Sequence, residues 1–337
     1  MQEGIIAFFE TPEQLRARLR KTGLTGEAID AAWPDWWSDG SAGSLSAEAE
    51  LRFTLARNLG LSPGGLMEPG DPTFVWRDSA KFKRLTGDEP AQRVLSAFAR
   101  AFASAVDQLV ETQIQSLDHS ASSLREAILR TTDAVRLVDL LSLAWGLGVP
   151  VTFLHVFPAT NKSMDAMTST SRTRPVVMLG RQSTYEASLA FTLAHELGHI
   201  FLGHLDQGAT VVDVGDPLEP DPEGDPEEAA ANAFAKELLT GHPEFDPVPS
   251  SATFNAGELA VASIKLGAKY AIDPAMVALC AAFGTNDWAR GYGALKVMGL
   301  SKEGLPTAIN DVAARELRLR SRTSSASTFV SRVLGRA

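Results

Sequence analysis

Apolar residues at Leu189, Leu193, Leu197 and Ile200 recur at spacings of four, four and three, the period of one helix face. His195, Glu196 and His199 interrupt this run without joining it. Leu197 lies two residues from each histidine, about 200° away around a helix axis. The pattern predicts a helix whose leucine stripe meets a core while its histidines face a cleft. Ser183 and Glu186 have the Ser-x-x-Glu spacing of a capping box, which predicts a helix start just after Ser183. Upstream, Leu140 to Phe157 is apolar enough to suggest a membrane span, but Gly146, Gly148, Pro150 and His155 break it. It reads as helix, turn and buried strand, with His155 a structural residue. Strands are expected at 149–156, 164–170 and 175–180, with a loop at 158–163.

The flanking regions read as helical. Thr11-Pro12-Glu13 opens a charged helix, and Trp33, Trp36 and Trp37 around Pro34 form a small aromatic core. Residues 47–62 weakly resemble part of a helix-turn-helix of the phage-repressor type, over about one helix and a turn and with few basic residues. A long amphipathic helix and its successor occupy 91–130. Beyond Pro247-Val248-Pro249-Ser250 the chain is helical again, clearest at 258–270 and 274–283, and Ser321 to Ser327 reads as flexible. The expected division is a helical region at 1–130, a central unit at 131–250 and a helical extension at 251–337.

Between Arg181 and Lys236 there is no lysine or arginine, while Asp213, Asp216, Glu219, Asp221, Glu223, Asp225, Glu227 and Glu228 crowd together. Asp-Pro pairs at 216–217, 221–222 and 225–226 mark a turn-rich, mobile loop. Asp225-Pro226 then supplies an N-cap and first residue for a helix rich in alanine, suited to packing closely on the histidine helix.

His195-Glu196-Leu197-Gly198-His199 is an HExxH motif. Residues four apart on a helix differ by about 40° in direction, so both imidazoles reach one metal ion. The glutamate points at the same site without being a ligand, which suits zinc and a carboxylate general base. A metzincin pattern would need glycine at 202 and histidine at 205, where this chain has Leu202 and Leu205. His204 reads instead as a histidine at the helix C-terminus, beside the dipole. The third ligand must come from elsewhere, and both Glu227 and Glu228 are candidates. Asp225-x-x-Glu228 is also a capping-box pattern, and Glu227 an ordinary first-turn acid.

HELGH followed by Glu-x-x-x-Asn-x-Phe-Ala-x-x-Leu-Leu, from Glu228 to Leu239, resembles the ImmA/IrrE family of bacterial metallo-endopeptidases. Leu147 to Val151, Pro175 to Gly180 and Phe191 to Ala194 fit the same pattern, so the resemblance covers roughly 135–240. The chain departs from it at Ala230, where the family often has glutamate, and at Thr240-Gly241, where Met-Pro is common. The resemblance implies an α+β zincin-like core, a small sheet with an HExxH helix and a third-ligand helix. It implies Zn²⁺ on His195, His199 and Glu228, with Asn232 supporting a ligating histidine and Glu196 as catalytic base. It also implies that the 164–170 strand is a sheet edge to which an extended peptide adds. The implied substrate is a specific protein, a helix-turn-helix repressor encoded nearby, cut in a stress-response or mobile-element switch. Tyr185, Tyr270, Tyr292 and His242 are the side chains considered for stabilising the oxyanion.

Composition narrows the alternatives. A single cysteine, Cys280, excludes an intrachain disulfide and a cysteine-based zinc site, and reads as a buried apolar residue. A net charge of −10 weighs against direct DNA binding, although arginines cluster from Arg315 onward. The start lacks a signal-peptide pattern, so a cytoplasmic location with no membrane contact is expected. Two other classes fit the same residues: a DNA- or partner-binding regulator with a structural zinc, and the toxin or effector half of a two-gene module.

Overall fold

A computed structural model describes residues 10–41, 43–75, 80–83, 89–159, 164–205, 210–213, 224–247 and 253–336. The N-terminal part holds α1 (Pro12–Lys21), α2 (Gly26–Ala32), α3 (Leu45–Leu59), α4 (Pro63–Met67), strand β1 (Ala80–Lys83), α5 (Glu89–Asp107) and α6 (Ala121–Leu129). The central part runs α7 (Leu137–Gly146), β2 (Val151–Phe153), β3 (Ala166–Thr170), β4 (Pro175–Leu179), α8 (Glu186–Phe201), β5 (Thr210–Asp213) and α9 (Pro226–Thr240). Five more helices follow: α10 (Ala256–Tyr270), α11 (Pro274–Thr285), α12 (Trp288–Val297), α13 (Leu305–Glu316) and α14 (Ser325–Val333). The fold is α+β. Most of the acidic segment, 214–223, lies outside the described residues, as do 160–163 and 248–250 of the expected loops.

The strands form one mixed sheet in the order β1-β5-β3-β4-β2. β2 runs parallel to β4, and β3 runs antiparallel to both β4 and β5. All five residues of β4 are buried, because helices cover both faces of the sheet. Alternation sorts the side chains. Ala166, Val177 and Leu179 enter a core shared with α7, α8, α9 and α11, while Met167, Val176 and Met178 enter one shared with α1–α3, α5 and α14. The N-terminal helices and the last helix thus close the second face of the same sheet.

Several details differ from the sequence expectation. β3 is not an edge. β5 pairs with it from Ala166↔Asp213 to Ser169↔Thr210, and β1 pairs in turn with β5. The segment after α8 therefore occupies the edge expected to receive a peptide. Helix α8 starts at Glu186 rather than just after Ser183. The Ser183 hydroxyl accepts from the Tyr185 amide at 3.0 Å, and the Lys302 amide donates to the Thr184 carbonyl at 2.7 Å, which holds this stretch extended. His155 lies beyond the end of β2 and is exposed. Trp33 is buried, but Trp36 is 41% exposed, so the tryptophans do not form one core. The Ser321–Ser327 stretch leads into α14, capped by Ser324 and anchored by buried Phe329, Val330 and Val333. Arg318 and Arg322 pair with Glu111, and Arg332 with Asp35, so these three tail arginines are engaged within the chain. Helix α3 ends at Gly60 in a left-handed conformation and is followed by the five-residue α4, where a recognition helix would begin.

Two buried arginines tie the layers. Arg174, in the β3–β4 turn, donates to Asp107 of α5 and to the carbonyls of Thr112 and Gly148. Burial would raise the Asp107 carboxyl, but hydrogen bonds from Thr173, Ser171 and Arg174 hold it below its ordinary range. Arg125 of α6 donates to the Leu238 and Leu239 carbonyls near the end of α9 and to those of Tyr270 and Ala271 at the end of α10. It caps two helices at once. Among the described residues no single helix is long and apolar enough to cross a membrane.

Replacing Arg125 with Met keeps its bulk but leaves these carbonyls without their donor. Arg125→Met should destabilise the fold by about 2–4 kcal/mol, measured by urea denaturation. Unchanged stability would show that the four carbonyls do not depend on this side chain.

Candidate metal centre

Helices α8 and α9 bring the site together, and glycine sets their distance. A Cβ at Gly198 would lie 3.0 Å from the Ala231 carbonyl oxygen and 3.1 Å from its Cα. The glycine of HELGH and the alanines of α9 therefore let the two backbones touch. On α9, Glu228, Ala231, Asn232 and Ala235 follow at helical spacing along the face toward α8. Asp225 caps this helix by accepting from the Glu227 amide at 2.8 Å, and Pro226 is its first residue, as the sequence predicts.

His195, His199 and Glu228 converge. The two Nε2 atoms are 3.1 Å apart, with Glu228 Oε2 3.4 Å from the first and Oε1 3.2 Å from the second. The edge of a tetrahedron built on zinc bonds of about 2.0–2.1 Å is roughly 3.3–3.4 Å. The two nitrogens, and each nitrogen with its nearer Glu228 oxygen, are thus close to that edge length, though the carboxylate presents a different oxygen to each ring. Their chemistry fits as well, since two imidazole nitrogens and a carboxylate, all fully or almost fully buried, call for a shared cation. Burial alone would push the Glu228 carboxyl up, yet the imidazoles of His195 and His199 hold it well below the usual carboxylate range. Glu227 is only partly buried and does not belong to this cluster.

The supporting contacts are specific. Asn232 Oδ1 lies 3.0 Å from His195 Nδ1, where the sequence placed it. Glu196 is fully buried, and the Thr168 hydroxyl of β3 donates to its Oε2. His204 Nδ1 lies 2.9 Å from His199 Nδ1. The sequence reading missed these last two roles. Thr168 was visible only as one small polar residue in a short strand, and His204 only as a histidine near a helix end. The histidine side of α8 is as buried as its leucine stripe, so His195, Glu196 and His199 sit under β3 and α9 rather than in an open cleft.

The four side chains considered for the oxyanion are not gathered here. Tyr185 stands ten residues before His195, about 15 Å along the axis, and packs on Tyr292. His242 follows the far end of α9 from Glu228, and Tyr270 closes α10, where Arg125 joins it to that same end. Elsewhere, Cys280 is buried and its thiol is pushed up to about 12 by that burial, which leaves it inert.

Residues 146–253 match a peptidase family whose description is the IrrE N-terminal-like domain, and this covers α8, α9 and four of the five strands. Nothing among the curated proteins or the solved structures matches the chain.

The purified protein should hold about one zinc per chain. Glu228→Ala should remove most of it, whereas Glu227→Ala should not, by metal analysis after dialysis. Loss of zinc from Glu227→Ala alone would move the ligand by one residue.

Proposed function

We propose that this protein, whose residues 146–253 match a peptidase family, is a zinc-dependent endopeptidase acting on a specific protein substrate. The observation that carries the reading is the position of Glu196. It follows His195 directly on α8, its carboxylate is fully buried, and the Thr168 hydroxyl of β3 donates to it. A purely structural metal site has no use for a second, non-ligating carboxylate, which favours catalysis over the structural-zinc alternative.

His195, His199 and Glu228 would hold the metal, which supplies Lewis-acid activation of water and of the scissile carbonyl when bound. Glu196 takes the proton from the attacking water and returns it to the leaving amine. Thr168 keeps one carboxylate oxygen in register for both transfers. Asn232 orients the His195 ring. The substrate we propose, a helix-turn-helix repressor encoded nearby, rests on the family resemblance alone.

The sheet adds a condition. β3 is the strand nearest Glu196, and β5 pairs with it at Thr168↔Val211. A substrate strand adding to β3 must take the place of β5. In this state the enzyme is closed, and partner binding would open it.

Glu196→Gln should keep zinc and fold while cutting hydrolysis of a peptide library or co-expressed repressor by at least about 100-fold. Undiminished cleavage would remove Glu196 from the chemistry. Val211→Pro removes an amide from a strand paired on both sides and should loosen β5. It should raise cleavage of unstructured peptides several-fold at equal zinc content. Unchanged or lower activity in Val211→Pro would show that β5 does not obstruct the site.

A further inference from the structure

The turn that ends α8 does more than stop the helix. Its C-cap is Leu202, and Gly203 follows with a φ of 73°. The Gly203 amide donates to the Ile200 carbonyl at 3.2 Å, and the His204 amide to the His199 carbonyl at 3.0 Å. These two bonds are the pair that defines a Schellman turn. In that motif the second residue past the cap folds back over the third residue from the helix end. Ordinarily two apolar side chains meet there. Here the pair is His204 over His199, with ring centroids 5.1 Å apart and Nδ1 atoms 2.9 Å apart. Stacking of Phe201 on Phe234 of α9, at 5.7 Å, anchors the last turn from which this fold-back starts.

The direction of this hydrogen bond follows from what surrounds His199. Its Nε2 faces His195 Nε2 and Glu228 Oε1, so a ligating His199 must leave Nε2 unprotonated and carry its hydrogen on Nδ1. The acceptor for that hydrogen is His204 Nδ1. His195 has the same arrangement, with Asn232 Oδ1 as its acceptor. Each histidine of the HExxH pair therefore has its own partner, one from the neighbouring helix and one from the turn that closes its own helix.

We infer that His204 is a positioning residue that fixes the tautomer and ring plane of His199 for metal binding, and that the Schellman turn at Gly203 exists to deliver it. This inference rests on the metal-centre reading above. It extends the ligand set outward by one residue that neither the HExxH spacing nor the third-ligand helix contains. Gly203 is part of the device. A Cβ there would meet nothing within 4 Å, so the positive φ, not crowding, favours glycine.

The test is zinc affinity by competition with a chromophoric chelator, on the full chain, with thermal melting of the metal-free forms alongside. His204→Ala should weaken zinc binding about 10- to 100-fold, the usual effect of removing an outer partner of a metal-bound histidine. His204→Asn, which offers a side-chain acceptor, should recover part of it. Gly203→Ala keeps His204 but strains the turn, and should weaken zinc binding less than His204→Ala. A role in fold alone would lower the melting temperature of the metal-free protein without this graded loss of affinity. Should His204→Ala fail to fold, ¹⁵N NMR of the zinc-loaded wild type decides. It should show a hydrogen on His199 Nδ1 coupled across the bond to His204. Zinc affinity in His204→Ala within twofold of wild type, or a His199 Nδ1 without hydrogen, would overturn the inference while leaving the metal centre standing. A wild type that binds no zinc would overturn both.

Discussion

Everything at the centre of this protein depends on how closely two helices approach. Gly198 lies against the backbone of Ala231, and this contact places Glu228 within reach of His195 and His199. The approach is costly without a cation, because it gathers a carboxylate and two imidazoles where water cannot solvate them. The imidazoles offset part of that cost, since against the effect of burial they hold the Glu228 carboxyl below its ordinary range. A divalent metal would resolve it. Folding and metal binding would thereby be linked, since a bound metal would stabilise the arrangement that makes the site.

Around this contact the rest of the chain works as a clamp. One core packs α8 and α9 against α7, α11 and one face of the sheet, and the other packs the N-terminal helices and α14 against the opposite face. β3 lies between them and reaches the site through Thr168. Arg125 and Arg174 hold the outer ends of these elements by donating to carbonyls that would otherwise be buried without partners. The site residues are accordingly buried, and β5 covers the edge of β3 at Thr168.

What the sequence disclosed follows the range of each interaction. The HExxH pair, the Asp225-Pro226 cap and the Glu228–Asn232 spacing are local patterns on single helices, and each appears in the structure where the residues placed it. Strands β2 and β4 were legible from apolar runs, β3 as a short strand of small polar residues, and the α+β class from the family resemblance. β5 was not, because Thr210 to Asp213 sits beside an acidic, proline-rich stretch and its pairing with β3 is purely long-range. The start of α8 was misplaced because Ser183 spends its hydroxyl on a local turn while residues from the C-terminal part hold the next residues extended. The Ser321–Ser327 stretch reads as flexible because its serines and the nearby arginines hide the stripe of Phe329, Val330 and Val333 that anchors α14. His204 was seen as a charge near a helix dipole. Its contact with His199 needs the left-handed Gly203, whose effect on side-chain direction a helical wheel does not carry.

The central claim is that His195, His199 and Glu228 are a metal's ligands. Zinc K-edge X-ray absorption of the loaded protein tests it most directly. The account predicts two imidazole nitrogens and oxygen donors at about 2.0–2.1 Å, with no sulfur. Sulfur scattering, or a shell with fewer than two imidazoles, would contradict it.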